Sequence, residues 1–196
     1  MRFKTRGQTI VEMLVATSAV VIALLGILGL INRSLALNRV NADAYTGTYL
    51  ASEGIELVKN FFDHNFLLAE RSSPPPSFYG WGAGGISIGV YEVAFNDTVL
   101  TPLSSCSLPS SGPTQSNIED LIFNCSQARF LNIASDGYYN YDSAGSATKF
   151  KRLIVIDNPY SGSDLEYRVT SAVGWLSRGG KFVVQLQDHF LPWRIP

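Results

Sequence analysis

Hydrophobic and polar positions follow three successive patterns along the chain. From Met13 to Ile31 no residue is charged. A helix of about 19 residues is roughly 28 Å long, close to the thickness of a bilayer's hydrocarbon layer, so this stretch is long enough to span a membrane. Beyond it, Val40, Ala44, Leu50, Ala51, Ile55, Val58, Phe61 and Phe62 recur mostly at spacings of three and four. Arg39, Asp43, Ser52, Glu53, Glu56 and Lys59 occupy the other face, so the second stretch reads as an amphipathic helix. The two stretches predict one helix from about Thr9 to about Phe66, weakened at Gly47 and Gly54 by about 1 kcal/mol each and free to kink there. SSPPPS at 72–77 stops it, because proline removes backbone donors and restricts its neighbours.

The third pattern is alternation. SIGVYEVAF (87–95) and KFKRLIVI (149–156) are short β-rich runs, and KFVVQLQ (181–187) alternates. LEYRVTSAVGW (165–175) places Leu165, Tyr167, Val169, Val173 and Trp175 on one face. LSRGG, between the last two runs, carries the paired glycines of a hairpin turn. The expectation is an α+β fold, with a long N-terminal helix packed on a C-terminal antiparallel sheet. Its parts are residues 1–7, a membrane-spanning half at 8–31, an amphipathic continuation at 32–71 and a β-rich head at 72–196. The Ser-, Asn- and Gly-rich stretch from about Asn96 to Ala147 reads as turns.

Charge fixes the expected orientation. Arg2, Lys4 and Arg6 precede the apolar run with no acid among them, whereas Arg33 and Arg39 beyond it are diluted by Asp43, Glu53 and Glu56. The positive-inside rule puts the amino terminus in the cytoplasm and the head outside. A cleaved secretory signal is the competing reading, but the apolar run exceeds the usual 7–15 or so residues. The A-x-A match Ala42-Asp43-Ala44 also lies well past its end. A net charge of −1 with 16% charged residues gives no basic surface of the kind that nucleic acid requires, so no nucleic-acid partner is expected.

One carboxylate, Glu12, stands at the start of the apolar run, where a charge is costly and is a functional hypothesis by default. The opening MRFKTRG followed by QTIVEMLVATSAVVIALLGILGLI resembles the class III signal of type IV prepilins and pseudopilins. The resemblance covers about the first third of the chain. It implies a basic leader cut between Gly7 and Gln8 by a membrane-embedded prepilin peptidase, N-methylation of the new terminus, and a glutamate, here Glu12, that acts in filament assembly. The family most often has phenylalanine after the cut. An N-terminal Gln8 can instead cyclise onto its own side chain, so methylation and cyclisation are alternative fates. Gly26 and Gly29 stand where many major pilins carry a proline, which points to a minor subunit. Residues 8 and 12 share a helix face, and in a low dielectric the carboxylate of one subunit can pair with the terminal amine of a neighbour.

Other chemistry is sparse. Cys106 and Cys125, both in the exported part on this reading, are expected to form a disulfide that contributes roughly 3 kcal/mol by restricting the unfolded chain. Asp136, Asn140 and Asp142 in DGYYNYDSAG are weak calcium candidates, the same residue types being turn formers. Tyr138, Tyr139 and Tyr141, with Phe78, Tyr79 and Trp81, could stack on sugar rings or bases, although aromatics of small domains are more often packing. His64 and His189 fit no metal-ligand spacing and read as surface residues. Ser146 and Lys149 match S-x-x-K without its companion motifs, and GWGAGG (80–85) lacks both the spacing and the flanking strand and helix of a phosphate loop. Neither a cofactor nor catalysis is expected. The reading is a minor pilin or pseudopilin-like subunit whose partners are other pilin subunits, the prepilin peptidase and the membrane. Its rival is a membrane-tethered module that binds a glycan or surface ligand and never polymerises.

Overall fold

A computed structural model describes residues 8–70, 87–107, 112–159, 166–177 and 180–191. Gly7 and the rest of the basic leader, SSPPPS, GWGAGG, and the aromatics Phe78, Tyr79 and Trp81 lie outside the described residues. The chain forms two compact units, Met1–Asp43 and Ala44–Pro196. A single helix, α1 (Gln8–Glu70), contributes to both.

In the first unit, α1 is long and apolar enough to cross a membrane, and no part of its apolar window is buried. The hydroxyls inside this run bond to the helix itself: Thr17 Oγ1 donates to the Met13 carbonyl at 2.8 Å and Ser18 Oγ to that of Val15 at 2.8 Å. Polar side chains that fold back on their own helix leave little for a lipid environment to satisfy.

The second unit is α+β. Among the described residues, seven strands form one antiparallel sheet: β1 (Gly89–Glu92), β2 (Thr101–Pro102), β3 (Phe130–Ile133), β4 (Tyr139–Asn140), β5 (Ser146–Asp157), β6 (Tyr167–Ser177) and β7 (Gly180–Phe190). β5 organises it. One edge pairs with β6 from Phe150↔Trp175 to Asp157↔Arg168, and β6 pairs in turn with β7 from Tyr167↔Phe190 to Ser177↔Gly180. The opposite edge of β5 is shared end to end by β1, opposite residues 154–156, and β3, opposite residues 146–151. β2 extends β1 and β4 extends β3.

The sheet is covered on both faces. On one, the second half of α1 buries Ile55 and Val58 with Tyr91, Val93, Ile154, Ile156 and Val169, and Leu50 and Ala51 with Leu131, Phe150, Val173 and Trp175. On the other lies α2 (Gln115–Asn124), whose Ile118 and Ile122 pack on Leu153, Val155 and Ala172. α2 falls within the stretch expected to be turns, and this corrects that reading. Thr114 caps its first turn by accepting from the Asn117 amide, and Ile118, Leu121 and Ile122 supply a short apolar stripe. The second cover also corrects the one-faced reading of β6: Thr170, Ala172 and Gly174, on its other face, are buried as well.

Gly47 and Gly54 are points of close approach. A Cβ on Gly47 would lie 2.7 Å from Trp175 Cζ3, and one on Gly54 would lie 2.3 Å from Ser171 Oγ. The helix gives up propensity at these two positions and gains proximity to the sheet.

Candidate functional site

The residues that the sequence singles out fall in two places. Gln8 is the first residue of α1, and Glu12, one turn on, is exposed and is the single charged residue from Gln8 to Ile31. Among the described residues it has no ion-pair partner. Among the described residues, nothing lies within 4 Å of a Cβ added at Gly26 or Gly29, so no described neighbour calls for their smallness.

In the head, Cys106 and Cys125 are joined, with Cα atoms 5.6 Å apart. The bond ties the segment after β2 to the C-terminal cap of α2, and both cysteines belong to the core under that helix. The three calcium candidates are held in Asx turns. Asp136 Oδ1 accepts from the Tyr138 amide at 3.1 Å, Asn140 Oδ1 from the Asp142 amide at 3.1 Å, and Asp142 Oδ1 from the Ala144 amide at 3.0 Å. Among the described residues no group of three or more His, Cys, Asp or Glu could hold a metal ion.

The tyrosines diverge. Tyr138 stacks on Phe95 with ring centroids 4.7 Å apart, Tyr139 packs at the edge of the core, and Tyr141 donates from its hydroxyl to the Arg152 carbonyl at 3.2 Å. Burial pushes the Tyr141 phenol above its ordinary range, against the pull of the nearby Arg152 cation. Ser146 opens β5 opposite Ile133, and Lys149 lies three residues further along the strand. His64 is exposed on α1, and exposed His189 makes a side-chain contact with Glu166 and lies 2.9 Å from the Gln187 amide nitrogen.

Two buried charges lie outside the sequence expectations. Arg152 is fully buried beneath α1, where Nη1 donates to the Leu50 carbonyl at 3.1 Å and to Glu53 at 2.9 Å, while Nη2 donates to the Val93 carbonyl. Glu92, also fully buried, accepts from the Arg129 amide at 2.6 Å and from Arg129 Nε at 2.8 Å. Both stand where β1 and β3 meet end to end along β5. The ladder is interrupted there, and side chains take over unpaired backbone groups. A charge inside an apolar strand run, as in KRLIVI and VYEV, is the signal that could have found them. Nearer the other end, Asp157 accepts two bonds from Arg168, which holds that guanidinium protonated even more firmly than usual.

The geometry defines a class: a chain with one N-terminal helix long and apolar enough to cross a membrane, whose continuation packs on an antiparallel sheet in a disulfide-bonded α+β head. No protein-family model, curated protein or solved structure matches it.

Proposed function

We propose that this chain is a minor pilin or pseudopilin-like structural subunit, inserted with its amino terminus in the cytoplasm. In this reading the leader is removed between Gly7 and Gln8, and the helix then joins a filament through Glu12. The observation that carries the reading is the pairing of an uncharged, wholly unburied helical run with a single carboxylate just before it, one turn from the start of α1. A charge there costs on the order of 2.5–3.5 kcal/mol at the membrane centre and less near the edge, and pairing with a terminal amine offsets that cost. Gly26 and Gly29 support the same reading, because small residues allow close approach of a second helix in lipid.

The test is Glu12→Gln. It should leave insertion and head folding intact and reduce incorporation, counted as mutant subunits in sheared filaments against those left in the membrane. Wild-type partitioning would refute the pairing. Gly7→Val should block cleavage, and a wild-type chain left full length in cells containing prepilin peptidase would favour the tethered binding module instead. Intact mass on the same sample separates a free, methylated or cyclised Gln8.

A further inference from the structure

The chain holds three N-x-S/T sequences, at Asn32, Asn96 and Asn124, and their structural settings differ. Asn32 lies inside α1 one residue beyond the apolar run. Asn124 ends α2, donates from Nδ2 to Asp120 Oδ1 at 3.3 Å, and precedes the disulfide-bonded Cys125. Asn96 stands in a tight turn. The Asp97 amide donates to the Ala94 carbonyl at 3.1 Å, and the Ala94 amide donates back to Asp97 Oδ2 at 2.7 Å. Asn96 and Thr98 are both exposed, and neither side chain has a hydrogen-bond partner among the described residues. The residue before Asn96 is Phe95, whose ring is stacked on Tyr138, and Tyr138 remains 57% exposed. An exposed aromatic stacked on the residue that precedes an unengaged acceptor amide suits the apolar face of a sugar ring.

We propose that Asn96 is an N-glycosylation site of the folded head, with Tyr138 as the platform for the first sugar. This rests on the head lying outside the cytoplasm, since the donor is a lipid-pyrophosphate-linked oligosaccharide presented there to an oligosaccharyltransferase. Asn96 Nδ2 attacks C1 of the donor sugar, and the C1–O bond to the pyrophosphate breaks as the C–N bond forms. The Nδ2 proton passes to a base of the transferase, and the lipid pyrophosphate leaves with the bonding electron pair. Nothing is oxidised or reduced.

The experiment uses the full chain, folded in detergent with its disulfide intact, together with an oligosaccharyltransferase that recognises N-x-S/T and its lipid-linked donor. Intact mass should rise by one oligosaccharide. The increment should persist in Asn124→Gln and Asn32→Gln and vanish in Asn96→Gln. No increment, or an increment that survives Asn96→Gln, overturns the proposal. Glycosylation should raise the unfolding temperature of the head, and Tyr138→Ala should abolish that rise at unchanged occupancy; an undiminished rise overturns the platform. The same measurement in cells carrying the transferase tests orientation separately. Modification in detergent but not in cells supports Asn96 as the acceptor and refutes the external head.

Discussion

Gly54→Ala is the most direct probe of how α1 is seated. In an isolated helix the change stabilises by about 1 kcal/mol. Here the new Cβ would lie 2.3 Å from Ser171 Oγ, 2.9 Å from Ile154 Cδ1 and 3.2 Å from Arg152 Cδ. Non-bonded heavy atoms rest about 3.5–4 Å apart, so the serine oxygen is more than 1 Å too close. Ile154 can turn its terminal methyl aside, but Arg152 is held by Leu50, Glu53 and Val93. Overpacking of this kind costs about 1–3 kcal/mol. After the propensity gain of about 1 kcal/mol, a net loss of about 0–2 kcal/mol is expected, or up to about 8 °C in the melting temperature of a domain of this size. Ser171 Oγ is itself buried without a hydrogen-bond partner among the described residues, so Ser171→Ala alone should be neutral or stabilising. In the Ser171→Ala background, Gly54→Ala should recover at least about 1 kcal/mol as favourable coupling. Gly47→Ala, which meets the Trp175 ring instead, should gain nothing from that background. Near-UV circular dichroism of the full chain in detergent reads the melt. If Gly54→Ala is stabilised by its full helix propensity, the helix is not seated on β6 as described.

Three further outcomes are expected. Glu53→Gln leaves the buried Arg152 without its counter-charge and should cost about 2–3 kcal/mol, below the usual 3–5 for a fully buried pair because Glu53 remains partly exposed. Combined with Arg152→Met, the loss should fall short of the sum of the single losses in a urea double-mutant cycle. Removing the disulfide by Cys106→Ser and Cys125→Ser should cost about 3 kcal/mol in the same assay. Tyr141 titrates higher folded than unfolded, so its contribution is complete below about pH 10, where a free tyrosine ionises, and is lost as pH rises above that. Tyr141→Phe should therefore flatten the alkaline decline in stability, while costing about 0.5–1.5 kcal/mol at neutral pH for the lost bond to the Arg152 carbonyl.

The elements legible in the sequence are those whose periodicity extends over many residues. The helix expected from about Thr9 to about Phe66 runs from Gln8 to Glu70, and the runs at 149–156, 165–175 and 181–187 lie within or largely overlap β5, β6 and β7. α2 was hidden because ten residues offer only two fully buried side chains, Ile118 and Ile122, in a setting rich in turn formers. The burial of both faces of β6 follows from α2, because without a cover for the far face alternation implies a strand buried on one side only. Helix propensity does not explain Gly47 and Gly54, whose reason lies in Trp175 and Ser171, more than 100 residues away. The buried arginine is a tertiary effect of the same kind: nothing local to KRLIVI says that a helix carboxylate will lie above it.

The head's own charges sharpen the argument about Glu12. Fully buried Arg152 is met by Glu53, and fully buried Glu92 by Arg129, so this chain supplies counter-charges where it withdraws charge from water. Glu12 breaks that pattern. It lies at the edge of the uncharged apolar run from Met13 to Ile31, and no described residue of the chain is paired with it. On the proposed reading, the missing cation is made by cleavage: the amine created on Gln8 is the one positive group that maturation places within a turn of Glu12. A free amine and Glu12 on the same helix can neutralise each other only partly, because a residue-8 terminus and a residue-12 side chain are held by one rigid backbone. A neighbouring helix shifted along the axis has no such restriction, and in low dielectric the better-formed pair wins. Cyclisation of Gln8 would remove the cation. Glu12→Gln should then lose its effect on incorporation in the cyclised fraction and keep it in the fraction with a free or methylated amine, and equal effects in both would refute charge pairing.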